Sequence, residues 1–336
     1  MKSKILALLR TRQTYVSGQE LCEQFGVSRT AVWKAVGQLK KEGYQIEAVQ
    51  NKGYLLVEND TLDVFDQRDI ESRLSGKIMG RNLFFFDETD STNAQAKQAA
   101  EKNVPHGALF VADHQTSGRG RRGRVWDSPA GKNIYFTLLL RPQIMPNQAS
   151  MLTLVMAMAV AKGIRENLSE GKEDDIKVGI KWPNDIVIDG KKVCGILTEM
   201  SLTTEMDSIQ YVVIGVGINV GLQSFDEEIA SKATSLEEAT GRKLLRSKLL
   251  ADIVEAFESY YDKFMQEKSL FAFVKEYNDS LINLDRQVRV LDPKGEFDGV
   301  AKGITDTGEL IVQCEDGTLH NVYAGEVSVR GVYGYV

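Results

Sequence analysis

The sequence predicts an α+β multidomain chain: a helical, basic head, a mixed strand-and-helix body and a small all-β tail. Three observations predict it. The first 57 residues set nine Lys/Arg against four Glu, a net charge of +5, while the rest of the chain carries −11. Strands and helices in the middle do not alternate regularly, which favours α+β over a doubly wound sheet. From about Asp285 short alternating strands are punctuated by the turn signals Asp292-Pro293-Lys294-Gly295, Asp306-Thr307-Gly308 and Asp316-Gly317. The 336 residues are too many for one small core, and 43% hydrophobic with 26% charged residues excludes disordered and fibrous classes.

The head occupies residues 1–60. Ile5, Leu6, Leu8 and Leu9 make one apolar helix face, and Leu21 and Phe25 begin a second helix that Gly26 breaks. Ser28 is an N-cap for a third, in which Ala31, Val32, Ala35, Val36 and Leu39 recur at helical spacing. Its other face carries Arg29, Thr30, Trp33, Lys34, Gln38 and Lys41. Helix, glycine turn and a capped helix with a polar-basic face is the helix-turn-helix pattern. The runs Tyr44–Val49 and Tyr54–Val57, joined by Gln50-Asn51-Lys52-Gly53, add a hairpin wing. Ser28, Arg29, Thr30, Trp33, Lys34 and Gln38 are the candidate DNA contacts. A helical hairpin for protein contacts is the alternative, and the local charge of +5 favours phosphate.

Glu58–Glu71 holds six acids and one Arg and reads as a linker, assigned to residues 61–76. The body follows at 77–282 and the β tail, short enough for an independently folding module, at 283–336. Leu83–Phe86, Ala108–Ala112, Ile134–Leu140, Ile186–Ile188, Val193–Met200 and Tyr211–Asn219 read as strands. Thr92–Lys102, Ala149–Asn167 and Leu245–Phe264 read as helices. Cys22, Cys194 and Cys314 have no paired spacing for a disulfide framework or a zinc site. No signal-peptide core precedes Arg10, and the apolar run Met151–Ala161 is far short of a membrane span. A cytoplasmic protein is expected.

The densest chemical signal is Gly118-Arg-Gly-Arg-Arg-Gly-Arg124. It satisfies G-x-G-x-x-G, but Pro129 and Gly131 follow where a dinucleotide loop opens a helix, and no acid occurs between Asp127 and Glu166. The kinase motifs are missing as well. What remains is a set of arginine forks and free amides suited to phosphate or carboxylate oxygens. Such a loop is expected to be mobile until an anion orders it, unless it is simply solvated basic surface.

Four further blocks matter. In Lys181-Trp-Pro-Asn-Asp185, Pro183 holds Trp182 extended, and Asp185 is a candidate magnesium ligand or a turn residue. Asp189-Gly190 signals a type I′ turn, after which Lys191 or Lys192 projects over the sheet. Gly215, Gly217 and Asn219 share one strand face, opening a slot for a flat ligand or for close helix packing. Ser91-Thr-Asn93 begins a helix, with Thr92-x-x-Gln95 as a capping box and exposed amides at its start.

DSTN at 90–93, QTSGRGRRGRVW at 115–126, KWPND at 181–185, GKKVCGIL at 190–197 and GVGIN at 215–219, in this order, resemble the biotin protein ligases that also act as biotin operon repressors. The head resembles that family's winged helix-turn-helix, which its ligase-only members lack. The resemblance implies a body similar to class II aminoacyl-tRNA synthetases and an SH3-like tail. It implies formation of biotinoyl-5′-AMP from biotin and Mg-ATP, then transfer of biotin to a lysine of a biotin carboxyl carrier protein, on an acetyl-CoA carboxylase subunit or a pyruvate carboxylase domain. Lys192 and Arg121 would be catalytic. Ser91, Thr92, Asn93, Gln115, Arg119, Gly120, Arg121, Lys192, Gly215 and Gly217 would hold biotin. Arg121, Trp126, Lys181, Asn184, Asp185 and Asn219 would hold ATP, with Asp185 near Mg2+. Operator DNA and a homodimer, with biotinoyl-5′-AMP as co-repressor, complete the expectation. A sensor-repressor without ligase activity and a lipoate-type ligase are the alternatives.

Overall fold

A computed structural model of the chain describes residues 1–58, 63–169, 176–203, 208–292, 295–323 and 328–331. The head contains α1 (Lys2–Arg12), α2 (Gly18–Phe25) and α3 (Arg29–Lys41), then β1 (Ile46–Val49) and β2 (Gly53–Leu56). Ser17 accepts the Glu20 N–H at 3.0 Å and Ser28 accepts the Ala31 N–H at 3.2 Å, so each caps the helix it precedes. Gly26 ends α2 at φ 63°, a conformation that costs glycine nothing. Ile5, Leu6, Leu9, Leu21, Val32, Ala35, Val36 and Leu39 bury into a core of the head's own. That leaves Arg29, Thr30, Lys34, Gln38 and Lys41 exposed on α3, with Trp33 67% exposed among them. β1 and β2 pair antiparallel with Ile46 opposite Leu56, forming the wing.

The segment expected as a linker contains a helix, α4 (Gln67–Arg73), while 59–62 lie outside the described residues. The acids read as a solvated run because composition does not show their partners. Asp66 caps α4 through the Asp69 N–H at 2.8 Å. Asp69 is 1% exposed and accepts from Arg10 at 2.6 Å, Arg73 at 2.9 Å and the Tyr44 hydroxyl at 2.9 Å, with Ser247 of the body also bonded to it. The helix is therefore a joint between head and body.

The body runs β3 (Leu83–Thr89), α5 (Thr92–Glu101), β4 (Ala108–Gln115), β5 (Ile134–Leu140), α6 (Met151–Ser169), β6 (Val178–Lys181), β7 (Asp185–Ile188), β8 (Lys191–Leu202), β9 (Ile209–Ile218), α7 (Glu227–Ala230), α8 (Leu236–Thr240), α9 (Arg246–Glu267) and α10 (Val274–Ser280). Its strands form one seven-stranded sheet ordered β3-β4-β5-β9-β8-β7-β6, parallel only between β3 and β4. The irregular α+β order holds. Val212, Ile214, Val216 and Ile218 join the core that α6 and α9 build on one face. Tyr211 and Val213 point the other way, toward Ala96 and Ala100 of α5. The period-2 alternation of β9 thus sends Gly215 and Gly217 to the α5 face. Since α5 covers only part of that face, the glycine region is left for other residues.

The tail contains β10 (Gln287–Leu291), β11 (Phe297–Ile304), β12 (Leu310–Gln313), β13 (Leu319–Val322) and β14 (Ser328–Gly331), an antiparallel sheet ordered β13-β12-β11-β10-β14. The Gly308 and Gly317 turns have φ 84° and 83°, while Pro293 and Lys294 of the first turn signal lie outside the described residues. Val288, Val290, Ala301, Leu310 and Val312 belong to the same core cluster as the body, so the tail shares that core. Trp182 fastens it: the buried indole donates to the Gly308 carbonyl at 3.1 Å. No helix among the described residues is long and apolar enough to cross a membrane.

Candidate active site

The site is built where the start of α5, the arginine loop and the β7–β8 turn meet over β8 and β9. Ser91 precedes α5 without a side-chain capping bond. The expected Thr92–Gln95 capping box does not form, because the Gln95 amide donates to Asp90 at 3.0 Å, and the same carboxylate takes the Ser91 N–H at 2.6 Å. Burial opposes the Asp90 charge, but these donors outweigh it and hold the carboxyl below its ordinary value. Thr92 donates its backbone N–H to the Gln115 side-chain oxygen at 2.9 Å, and Gln115 donates to the Ser128 hydroxyl at 3.0 Å. The two ends of the arginine loop are thereby tied to α5.

The loop itself is a hairpin. Arg119 and Val125 form an isolated bridge, Gly120 N–H donates to Arg124 O at 2.8 Å, and Trp126 N–H donates to Gly118 O at 3.0 Å. These cross-bonds shape the loop as a hairpin on which Arg119, Arg122 and Arg124 all face solvent. Arg121 turns inward and donates to Asn184 Oδ1 at 2.9 Å. Burial lowers its pKa, with Asp185 opposing the shift, and the guanidinium keeps its charge at neutral pH.

The β7–β8 turn has the expected left-handed pair, Asp189 at φ 49° and Gly190 at φ 77°. Lys191 is exposed, and an irregularity between Ile186 and Val187 shifts the register at Lys192. Lys192 Nζ reaches Asp185 Oδ1 at 2.6 Å and lies 5.3 Å from the Trp126 ring centroid. Lys181 is 5% exposed and pairs with Asp185 in the β6–β7 register. Trp182 and Pro183 form the intervening turn, and the peptide bond between them is cis.

The glycine slot is divided between two occupants. A Cβ at Gly215 would stand 2.1 Å from Asn93 Oδ1, and one at Gly217 would stand 2.5 Å from Trp126 Nε1. Gly195, opposite Gly217 in the register, completes the floor, since its Cβ would meet Trp126 at 2.9 Å and Lys192 Nζ at 3.1 Å. Close approach of protein side chains therefore explains Gly215, whereas Gly217 and Gly195 carry a half-exposed aromatic ring. The Trp126 indole N–H is buried and without a hydrogen bond partner. A ring on a flat floor, beside a lysine and an arginine, suits a flat anionic ligand.

Lys192, Asp185, Arg121, Asn184, Trp126 and Gly217 are thus brought together, with Thr92, Asn93 and Gln115 alongside. Arg119 is exposed, and Asn219 spends its amide on the Thr234 carbonyl at 3.1 Å, fastening a loop over β8. Sequence reading missed Gly195, Thr137, Ser128 and Glu199. Only Gly195 carried a signal, being a strand glycine inside the GKKVCGIL block. Asp185 supplies one carboxylate, and no group of three or more His, Cys, Asp or Glu able to hold a metal occurs among the described residues. This set fits a magnesium ion that arrives on nucleotide phosphates, not a protein cage.

The head and the site together define an enzyme that carries its own DNA-binding domain. Residues 85–219 match the biotin/lipoate A/B protein ligase family, residues 2–55 an HTH domain and residues 284–330 the biotin protein ligase C-terminal domain. The bifunctional ligase/repressor BirA of Bacillus subtilis is 39% identical over 94% of both chains. The BirA of Escherichia coli is 30% identical over 97% of this chain and 96% of its own. A biotin protein ligase from Aquifex aeolicus, solved in complex with biotin and ATP, superposes with a TM-score of 0.63 at 34% identity, covering 75% of this chain and 99% of that one. The chain belongs to the biotin protein ligases, in the bifunctional ligase/repressor branch.

Proposed function

We propose that the chain joins biotin to ATP as biotinoyl-5′-AMP with release of pyrophosphate. It then passes the biotinoyl group to a lysine of a biotin carboxyl carrier protein, on an acetyl-CoA carboxylase subunit or a pyruvate carboxylase domain. The adenylate is also the co-repressor with which a cytoplasmic homodimer holds operator DNA. The observation that carries this reading is the convergence of Lys192, Arg121 and Trp126 on the Gly195–Gly217 floor.

Two anions must meet in the first step, the carboxylate of biotin and the α-phosphate. Lys192 stands where one cation faces both, and such preorganised charge is worth most in a water-poor site. Arg121, held by Asn184, adds a second fixed cation and closes the loop side. Trp126 offers its ring to adenine, with Lys181, Asn184, Asp185 and Asn219 on the nucleotide side. Mg2+ held by Asp185 and phosphate oxygens would neutralise polyphosphate charge when bound. Ser91, Thr92, Asn93, Gln115, Arg119, Gly120, Gly215 and Gly217 form the biotin side, with Thr92 and Gln115 nearest the loop ends. Carrier lysine then attacks the acyl carbon and AMP leaves.

Incubation of the full chain with labelled biotin, ATP and a carrier domain tests the reading. Label on the carrier, with AMP and pyrophosphate formed, is the expected result. Adenylate without transfer identifies a sensor-repressor, and transfer of lipoate in preference to biotin identifies the other ligase.

A further inference from the structure

The helix α3 contains no acid, and the side it turns away from the head's core shows Arg29, Thr30, Trp33, Lys34 and Gln38. Trp33 stands out on that polar face. Its indole is 67% exposed, whereas Trp126 is half-buried and Trp182 is 2% exposed. Helical spacing sets Arg29 one turn before it and Gly37 one turn after it. Side chains of a helix lean toward its N-terminus, so a residue with a side chain at 37 would lie over the turn that holds Trp33. A Cβ at Gly37 would meet nothing within 4 Å. Packing inside the head therefore does not ask for this glycine, which weakens a helix interior relative to alanine. Its effect is to keep the indole uncovered and to let a partner approach the helix backbone. The charges beside it name the partner's chemistry: Arg29, Lys34 and Lys41 are exposed on the same helix and suit phosphates.

We propose that Trp33 is a specificity-determining residue that reads a thymine in each operator half-site by packing its indole on the C5-methyl group. The inference rests on the reading of the head as the operator-binding part of the chain. An α-helix fits the major groove of B-DNA, where the base edges present donors, acceptors and one apolar group, the thymine methyl. An indole offers two carbon faces and a single N–H donor, so the methyl is the base feature it can bury. Burying one such group is worth about fourfold in affinity, and two heads on one operator make that about fifteenfold.

The test begins with a randomised duplex library, from which the full chain with biotinoyl-5′-AMP selects its preferred site. The recovered duplex is remade with uracil in place of thymine at one symmetric pair of positions at a time. Uracil keeps every hydrogen-bonding atom of thymine and lacks only the methyl. The wild type is expected to bind about fifteenfold more weakly when one particular pair is changed. Trp33→Ala is expected to bind the thymine and uracil duplexes of that pair within about twofold of each other. Trp33→Phe should keep most of the penalty, because a phenyl ring also packs on a thymine methyl. A wild type indifferent to uracil at every position overturns the proposal, and that result depends on no variant folding. A Trp33→Ala chain that binds more weakly but keeps the full uracil penalty overturns it too, since the indole then serves the phosphates or the fold while another residue touches the methyl. Failure of the wild type to enrich any duplex overturns the operator-binding reading itself, and the assignment of Trp33 with it.

Discussion

Lys192 and Asp185 stand 2.6 Å apart, and each limits what the other does before a ligand arrives. On the proposed reading, a nucleotide whose Mg2+ Asp185 would hold would release Lys192 to the reacting oxygens. Lys192→Ala is therefore expected to slow adenylate formation by about 10²-fold or more, with pyrophosphate release as the readout. Near-normal release from that variant removes Lys192 from the mechanism. Arg121 acts at the loop. Arg121→Ala unhooks it from Asn184, so the adenylate should dissociate faster, and an unchanged dissociation rate refutes the covering role. The turn leaves Lys191 and Lys192 as alternatives and the resemblance points to Lys192; in the fold Lys192 faces Asp185 while Lys191 is exposed. Arg119 was less legible: four arginines in one loop look alike in sequence, and only the hairpin shows which one turns inward.

At the scale of elements, α4 is the clearest gain over the sequence. Its acids look solvated because their partners, Arg10 and Ser247, are remote in the chain. Burial disfavours charge on Asp69, but Arg10 and Arg73 beside it and the Ser247 hydroxyl outweigh burial and hold its carboxyl below the usual range. A group whose pKa is lower in the folded state adds stability above its unfolded pKa and loses it as pH falls through the folded value. Acidification below about pH 4 should therefore loosen the joint in the wild type, and do so less in Asp69→Asn, as followed by thermal melts across pH. Asp69→Ala leaves Arg10 and Arg73 without their shared partner and should cost about 3–5 kcal/mol in denaturant unfolding. The β8–β9 floor makes a second prediction. Gly217→Ala places a methyl 2.5 Å from Trp126 Nε1. It should displace the ring and raise the KM for ATP as well as that for biotin, whereas an unchanged KM for ATP would deny Trp126 a place against the nucleotide.

Over the whole molecule, the three-part order was legible from charge, period and turns, because each part carries a different pattern. The sharing of core between body and tail was not legible, since it depends on Trp182 and Leu270 meeting the Gly308 turn across the fold. Nor was the joint through which head and body touch. A single helix-turn-helix reads only a short half-site, so useful specificity needs two heads on a pseudo-palindrome. The head's exposed α3 face must stay free for DNA, so the contact of the proposed dimer would lie in the body, where the ligand loop also lies. Filling the pocket and forming the proposed dimer would then be linked, and a coupling of about 1–3 kcal/mol would be enough to matter. Carrier protein should relieve repression by consuming the adenylate. Sedimentation and operator binding, measured on the full chain with biotinoyl-5′-AMP, with biotin alone and with neither, test the joining of ligase and repressor in one molecule. Tighter dimerisation and tighter operator binding with the adenylate than with biotin alone is the result predicted; equal dimer constants and equal DNA affinity in all three states would contradict it.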